Sequence, residues 1–232
     1  MKSIWARFGT IYVIVGLLFI TLVFTGNRTV MTIARNQSIN RGRVIVIDAG
    51  HGGEDGGATS CSGRLESHLN LEIALRMNDL CHLLGYETRM IRTTDESVYT
   101  EGNTIASRKA SDLRERVKKV NETSDCILIS IHQNTFPDGR YHGAQVFYSK
   151  TTGSMELANE VQENFAIIDP QNRRKTKEAT GIYLMQHIKN TGILVECGFL
   201  SNFEEDRKLC DEAYQKMISS AIISALSKYI NP

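Results

Sequence analysis

Val44-Ile45-Val46-Ile47-Asp48-Ala49-Gly50-His51 decides the fold of this chain. An apolar run stops at an acid, turns on glycine and delivers a histidine. Apolar runs of this length, bounded by Gly or polar residues, read as buried strands. The form recurs twice. Ile127-Leu128-Ile129-Ser130-Ile131 leads to His132, and Ile193-Leu194-Val195 leads to Glu196. In an open α/β sheet, ligands gather beyond the carboxyl ends of the strands. Glu66 adds a second carboxylate. Two imidazoles and two carboxylates at one sheet edge suit one divalent metal plus one spare acid/base group.

Outward from these runs, strands and helices alternate. The spacing of Leu69, Ile73, Met77, Leu80 and Leu84 predicts a helix over 66–84, stopped by Gly85. Strands are expected at 44–48, 86–92, 126–132, 143–148, 182–185 and 192–196. Further helices are expected at 105–121, 154–168 and 213–230. Ser201-Asn202-Phe203-Glu204 has the spacing of a capping box, so a helical turn should begin there. The pattern is that of an α/β layer architecture with a largely parallel or mixed sheet. No repeat and no second domain interrupts it.

The 232 residues suffice for one domain with a real core. The front end differs from the rest. Lys2 and Arg7 precede 19 uncharged residues, Phe8 to Gly26. At about 1.5 Å per residue that run approaches the hydrocarbon thickness of a bilayer. It reads as a signal-anchor or transmembrane segment over 1–26. The bulky Leu22-Val23-Phe24-Thr25-Gly26 offers no clear cleavage site, which favours retention. Residues 27–42 read as a tether, and 43–232 as the catalytic domain. The expected location is extracytoplasmic, with the membrane as one partner.

Charge excludes one class of partner. The first 43 residues hold six Lys or Arg and no acid, so 21 basic residues face 26 acidic ones in the body, a net of −5. Nucleic-acid binders show the reverse balance. The short basic stretch 114–119 reads as a solvated helix face. Five cysteines without a Cys-x-x-Cys pair argue against a thiolate zinc site. A surface disulfide involving Cys61 stays open.

His51, Glu66 and His132 offer two imidazoles and one carboxylate, a recognised ligand set for one catalytic Zn²⁺ that keeps an open position. Such an ion activates a water and polarises a carbonyl, as amide hydrolysis requires. Glu196 then stands as general base and later general acid. Gly50, Gly52 and Gly53 let the backbone turn so that His51 faces back over the sheet edge. Alone, each residue has a plainer reading. A His after a strand is ordinarily a solvated loop residue, and Glu66 suits a helix N-terminus for dipole reasons. A competing set replaces Glu66 by Glu54, since His51-Gly52-Gly53-Glu54 has the H-x-x-E spacing of zinc carboxypeptidases.

The residues also carry a resemblance. Ile45-Val46-Ile47-Asp48-Ala49-Gly50-His51-Gly52-Gly53-Glu54-Asp55-Gly56-Gly57-Ala58 resembles the opening motif of the zinc N-acetylmuramoyl-L-alanine amidases of the Amidase_3 type. Glu66 falls where that family places its ligand glutamate. Arg116 and Asn121 resemble its R-x-x-x-x-N, Ser130 to Asn134 its S-I-H-x-N, and Leu194 to Asn202 its L-V-E-x-G-F-x-S-N. Ala49 stands where Pro is usual and Gln133 where Ala is usual, and Cys197 is a mild departure. The resemblance implies a six-stranded sheet flanked by helices, one zinc ion and cleavage of the bond joining N-acetylmuramic acid to L-alanine in peptidoglycan. It implies that Arg116, Asn121 and Asn134 support the site or touch substrate. The anchor, the absence of wall-binding repeats and Ser111 to Val117 make the chain similar to the sporulation members, the CwlD-type germination-specific amidases. These strip stem peptides from spore cortex for muramic-lactam formation. Two other functions compete: a zinc carboxypeptidase trimming stem peptides, and a non-catalytic wall-binding module. The sequence identifies no activating protein partner.

Overall fold

The computed structural model describes residues 42–232. The expected anchor over 1–26, and all but the last residue of the tether, lie outside the described residues. Within them, no helix is long and apolar enough to cross a membrane.

The strands are β1 (Val44–Ala49), β2 (Thr88–Met90), β3 (Cys126–Asn134), β4 (Gln145–Tyr148), β5 (Lys177–Glu178) and β6 (Thr191–Phe199). The helices are α1 (Glu66–Leu83), α2 (Ile105–Asn121), α3 (Ser154–Ile168), α4 (Tyr183–His187), α5 (Phe203–Leu209) and α6 (Glu212–Ile230). The strands form one sheet in the order β2-β1-β3-β6-β4-β5. Every neighbouring pair is parallel except β4 with β6. The sheet is therefore mixed, with β1, β3 and β6 side by side near its centre.

Alternation along each strand sorts the core into two layers. Ile45, Ile47, Ile127, Ile129, Ile131, Ile193 and Val195 pack on one face with Leu69, Ile73 and Met77 of α1 and Ile218 and Ile222 of α6. Val46, Leu128 and Leu194 pack on the other with Val120 of α2 and Leu184 and Met185 of α4. Each fully buried aliphatic side chain contributes roughly 1.5–3 kcal/mol. An exposed pair such as Arg207 with Glu204 contributes at most about 1 kcal/mol. Apolar packing, not surface charge, fixes the sheet.

Three expectations need correction. Residues 182–185 are not a strand; Tyr183–His187 is a short helix, and the sixth strand is Lys177–Glu178. The turn of α5 starts one residue later than the capping box predicts. Asn202 accepts from the Glu205 N–H, while Ser201 Oγ is taken up by the N–H of Phe136. The basic stretch of α2 is not solvated throughout, because Arg116 is buried. All five cysteines are free thiols, so no disulfide joins Cys61 to another residue.

Arg116 holds the end of β1. Its guanidinium pairs with Asp48 and donates to the carbonyls of Ala49 at 3.0 Å and His51 at 2.7 Å. Ser130 Oγ donates to the other oxygen of Asp48 at 2.7 Å. Burial opposes the Asp48 carboxylate, yet Arg116 and Ser130 outweigh that and lower its pKa. Breaking one side of such a buried pair typically costs 3–5 kcal/mol. Arg116→Ala is therefore expected to lose about that much stability in denaturant unfolding. An unchanged midpoint would show that the pair is dispensable.

Candidate metal centre

β1 ends at Ala49, and the Gly50 N–H bonds to the carbonyl of Ile131 on β3 at 3.0 Å. His51 then adopts φ of 61°, the left-handed region that costs an L residue about 1–2 kcal/mol. Arg116 on its carbonyl and Arg92, which donates to the carbonyls of Ala49 and Gly50 at 2.8 and 3.0 Å, hold this turn. His132 projects beside it from β3. A Cβ on Gly50 would lie 2.2 Å from Cε1 and Nε2 of His132, so only glycine leaves room for that ring. Gly57 is similar. Its φ is 69°, and a Cβ there would lie 2.6 Å from Glu66 Oε2 and 2.8 Å from His51 Cδ2.

Glu66 opens α1 and is only 4% exposed. Its Oε1 accepts from the Gln133 N–H at 3.1 Å and from Asn70 Nδ2 at 3.3 Å, and lies 3.1 Å from His132 Nδ1. Its Oε2 accepts from the Ala58 N–H at 3.0 Å and lies 3.3 Å from His51 Nε2. One ligand atom from each of His51, Glu66 and His132 can thus be chosen within 4.8 Å of the others. The two rings stand 5.0 Å apart at 73°. Burial raises the Glu66 pKa, but the bonds with His132 and His51 outweigh it and hold the carboxyl far below its usual range. For His51, burial lowers the pKa; Asp55 and Glu66 outweigh it and lift it to about 9.

Glu196 sits directly across from His132 in the β3–β6 register. Paired neighbours in a parallel sheet share a face, so both project on the Leu128 and Leu194 side. Its Oε2 is buried and has no hydrogen-bond partner among the described residues. Burial, first of all, raises its pKa to about 7; the charge of His132 opposes this and that of Glu66 adds to it. An unpartnered buried carboxylate oxygen is costly unless something else meets it.

The sequence profile described as N-acetylmuramoyl-L-alanine amidase matches residues 45–228. The chain belongs to that amidase family. It is 38% identical over 190 residues to the germination-specific N-acetylmuramoyl-L-alanine amidase of Bacillus subtilis strain 168, covering 81% of this chain and 80% of the relative. Among solved structures it is similar to the CwlD amidase of Clostridioides difficile, determined in complex with the GerS lipoprotein. There the TM-score is 0.77 at 35% identity, over 81% of this chain and 98% of that one. An N-acetylmuramoyl-L-alanine amidase of Clostridium difficile 630 gives 0.70 at 30% identity, over 82% of this chain and 97% of that one.

In this amidase the remaining expected residues part company. Asn134 lies at the carboxyl end of β3, on the edge that carries His132. Arg116 is buried under the His51 turn, where it donates to the His51 carbonyl. Asn121 is elsewhere: it bonds the carbonyl of His187 and the N–H of Lys189, at the end of α2 just before β3 begins. That is the amino edge of the sheet, opposite the edge that carries His132. Glu54, the competing ligand, is held by Arg108 at 2.6 Å and is not among the three converging groups. His68 and His82 lie on exposed faces of α1, bonded to Asp95 and Thr88.

Five residues of the amidase received no role from the sequence. Asp55 Oδ2 lies 2.9 Å from His51 Nδ1 and Lys109 Nζ 2.9 Å from the same oxygen. Asn70 and Gln133 surround Glu66, and Gln133 Nε2 donates to Asn70 Oδ1 at 3.2 Å. Arg92 adds a bond to the carbonyl of Ser67 at 2.8 Å, tying α1 to the turn. Asp55 and Asn70 carried a signal, each standing four residues beyond His51 and Glu66. Gln133 and Arg92 carried none.

Proposed function

We propose that this amidase uses one zinc ion, held by His51, Glu66 and His132, to hydrolyse the bond between N-acetylmuramic acid and L-alanine in peptidoglycan. The observation that carries the reading is the convergence of three donors around Gly50 and Gly57, with the unpaired Glu196 oxygen alongside. The donor set fits zinc: two imidazoles and one carboxylate leave an open position. The Glu66 and His51 surroundings fit it too, since Asp55 engages the far nitrogen of His51 in the manner that orients metal-binding imidazoles. A bound Zn²⁺ supplies Lewis acidity at a carbonyl oxygen and lowers the pKa of a water.

The chain's own residues do the rest. Glu66 and Gln133 tie α1 to β3, which fixes the spacing of the two histidines. Glu196 accepts a proton from the attacking water and returns it to the departing alanine nitrogen. The C–N bond breaks, the lactyl carbonyl gains the hydroxyl, and the stem peptide leaves with the proton on its amine. The setting we propose is extracytoplasmic, with the N-terminal segment as membrane anchor and spore cortex as substrate, where stem removal prepares muramic-lactam formation. Similarity to a germination-specific amidase supports that setting. A protein partner fits it as well, because the similar CwlD amidase was solved with a lipoprotein.

Purified full-length protein, incubated with peptidoglycan, is expected to release whole stem peptides. Loss of a single terminal residue would make it a carboxypeptidase, and unchanged muropeptides would make it a binding module. Asp55→Ala is expected to weaken zinc binding about 10- to 100-fold, because a partner of this kind orients its imidazole. Competition with a chromogenic chelator measures it; an unchanged affinity would show that His51 needs no such support.

A further inference from the structure

The carboxyl edge of the sheet holds a second feature, an open cleft of about 540 Å³ lined by Arg140, Tyr141, His142, Arg173 and Arg174 among others. It flanks Glu196. Gln145 of β4 pairs directly with Glu196 of β6 in antiparallel register, so the two side chains share a face. Arg174 Nη1 donates to Gln145 Oε1 at 3.2 Å. His132, Glu196, Gln145 and Arg174 thus form one row running across the strands.

Arg174 is built in. Its Nε donates to the carbonyl of His142 at 2.7 Å, and its guanidinium lies 4.3 Å above the ring of Phe199. Phe199 in turn meets Tyr141, which packs on Phe136. No acid pairs with Arg174 or Arg173 among the described residues, whereas Arg140 is engaged by Asp138 at 2.7 Å. Glu205, which acts on Arg174 electrostatically, has each oxygen occupied by a backbone N–H, from Gly143 and from Phe199. Nη2 of Arg174 has no protein acceptor among the described residues. An oriented, half-buried guanidinium with a free edge is a carboxylate receptor. It stands in a body of net negative charge, so general attraction to polyanions does not explain it.

We propose that this cleft binds a free carboxylate of the stem peptide and that Arg174 is its main contact, setting specificity for anionic over amidated stems. The inference rests on the amidase reading and adds which stems are preferred. A peptide leaving from the bond beside Glu196 meets Arg174 next along the row.

The test uses full-length protein and two soluble N-acetylmuramoyl peptides, identical except that the stem carboxylates are free in one and amidated in the other. Wild type is expected to favour the free carboxylates about tenfold or more in kcat/KM, as a charge-assisted hydrogen bond provides. Arg174→Ala is expected to collapse that ratio toward one, mainly through KM, and Arg174→Lys to retain part of it. An unchanged ratio with activity retained on both substrates in Arg174→Ala overturns the proposal. Equal losses on both substrates also overturn it, since they mark a merely structural arginine. Wild type that hydrolyses neither substrate overturns the amidase reading itself, which a lost ratio with retained hydrolysis does not.

Discussion

Glu196→Gln is expected to keep zinc near full occupancy and to lose at least about two orders of magnitude in the rate of amide hydrolysis. The amide has nearly the shape of the carboxylate, so packing beside His132 survives. What it lacks is a basic oxygen. Nothing then removes a proton from the attacking water or protonates the departing nitrogen, steps that contribute typically 10²–10⁴-fold. The pH profile carries an independent mark. Burial holds the Glu196 pKa up to about 7, so the carboxylate fades as base when pH falls below that value. A bound cation pulls it lower, which places the acid limb of the wild-type profile at or below about 7, and Glu196→Gln should erase that limb. Zinc loss from a folded Glu196→Gln protein would make Glu196 a ligand. Full activity would hand proton transfer to another group.

Glu66→Gln is expected to abolish both zinc loading and hydrolysis. One of three protein donors changes from a carboxylate to a neutral amide, so the charge compensating the ion disappears. The substitution also bears on the fold, because the two Glu66 oxygens accept the N–H groups of Ala58 from a loop and Gln133 from β3. An amide has one acceptor oxygen, so one buried donor is left unpaired, at about 1–3 kcal/mol. Metal analysis and a thermal melt therefore belong together. A folded Glu66→Gln protein without zinc agrees with the assignment. Retained zinc there, with loss in Glu54→Ala, would install the competing H-x-x-E set.

The residues that project from strand ends were legible in the sequence because they obey a simple rule. His51, His132 and Glu196 each follow an apolar run, and the sheet brings the ends of β1, β3 and β6 side by side. Glu66 was legible from its helix start. What stayed hidden depends on contacts distant in sequence. Arg92 reaches four carbonyls, three of them 25 or more positions away along the chain. The place of Asn121 at the amino edge was hidden too, because a motif fixes spacing along a helix and not which end of the sheet it faces. Residues 182–185 misled because four apolar-leaning positions fit a strand or one helical turn equally well. Lys177 and Glu178, exposed and charged, carry no strand pattern at all; they join only because β4 offers an unpaired edge.

The antiparallel entry of β4 into an otherwise parallel sheet has a consequence for how such an enzyme diversifies. The donors proposed for the ion come from residues 51–66 and from β3, while the cleft is built by the segments around 138–142 and 171–174. The second group of segments sits beside β4, on the far side of β6 from β1 and β3. Loop exchange or drift on the β4 side can therefore re-address the enzyme to another stem chemistry, while the hydrolytic apparatus on β1, β3 and β6 is inherited unchanged.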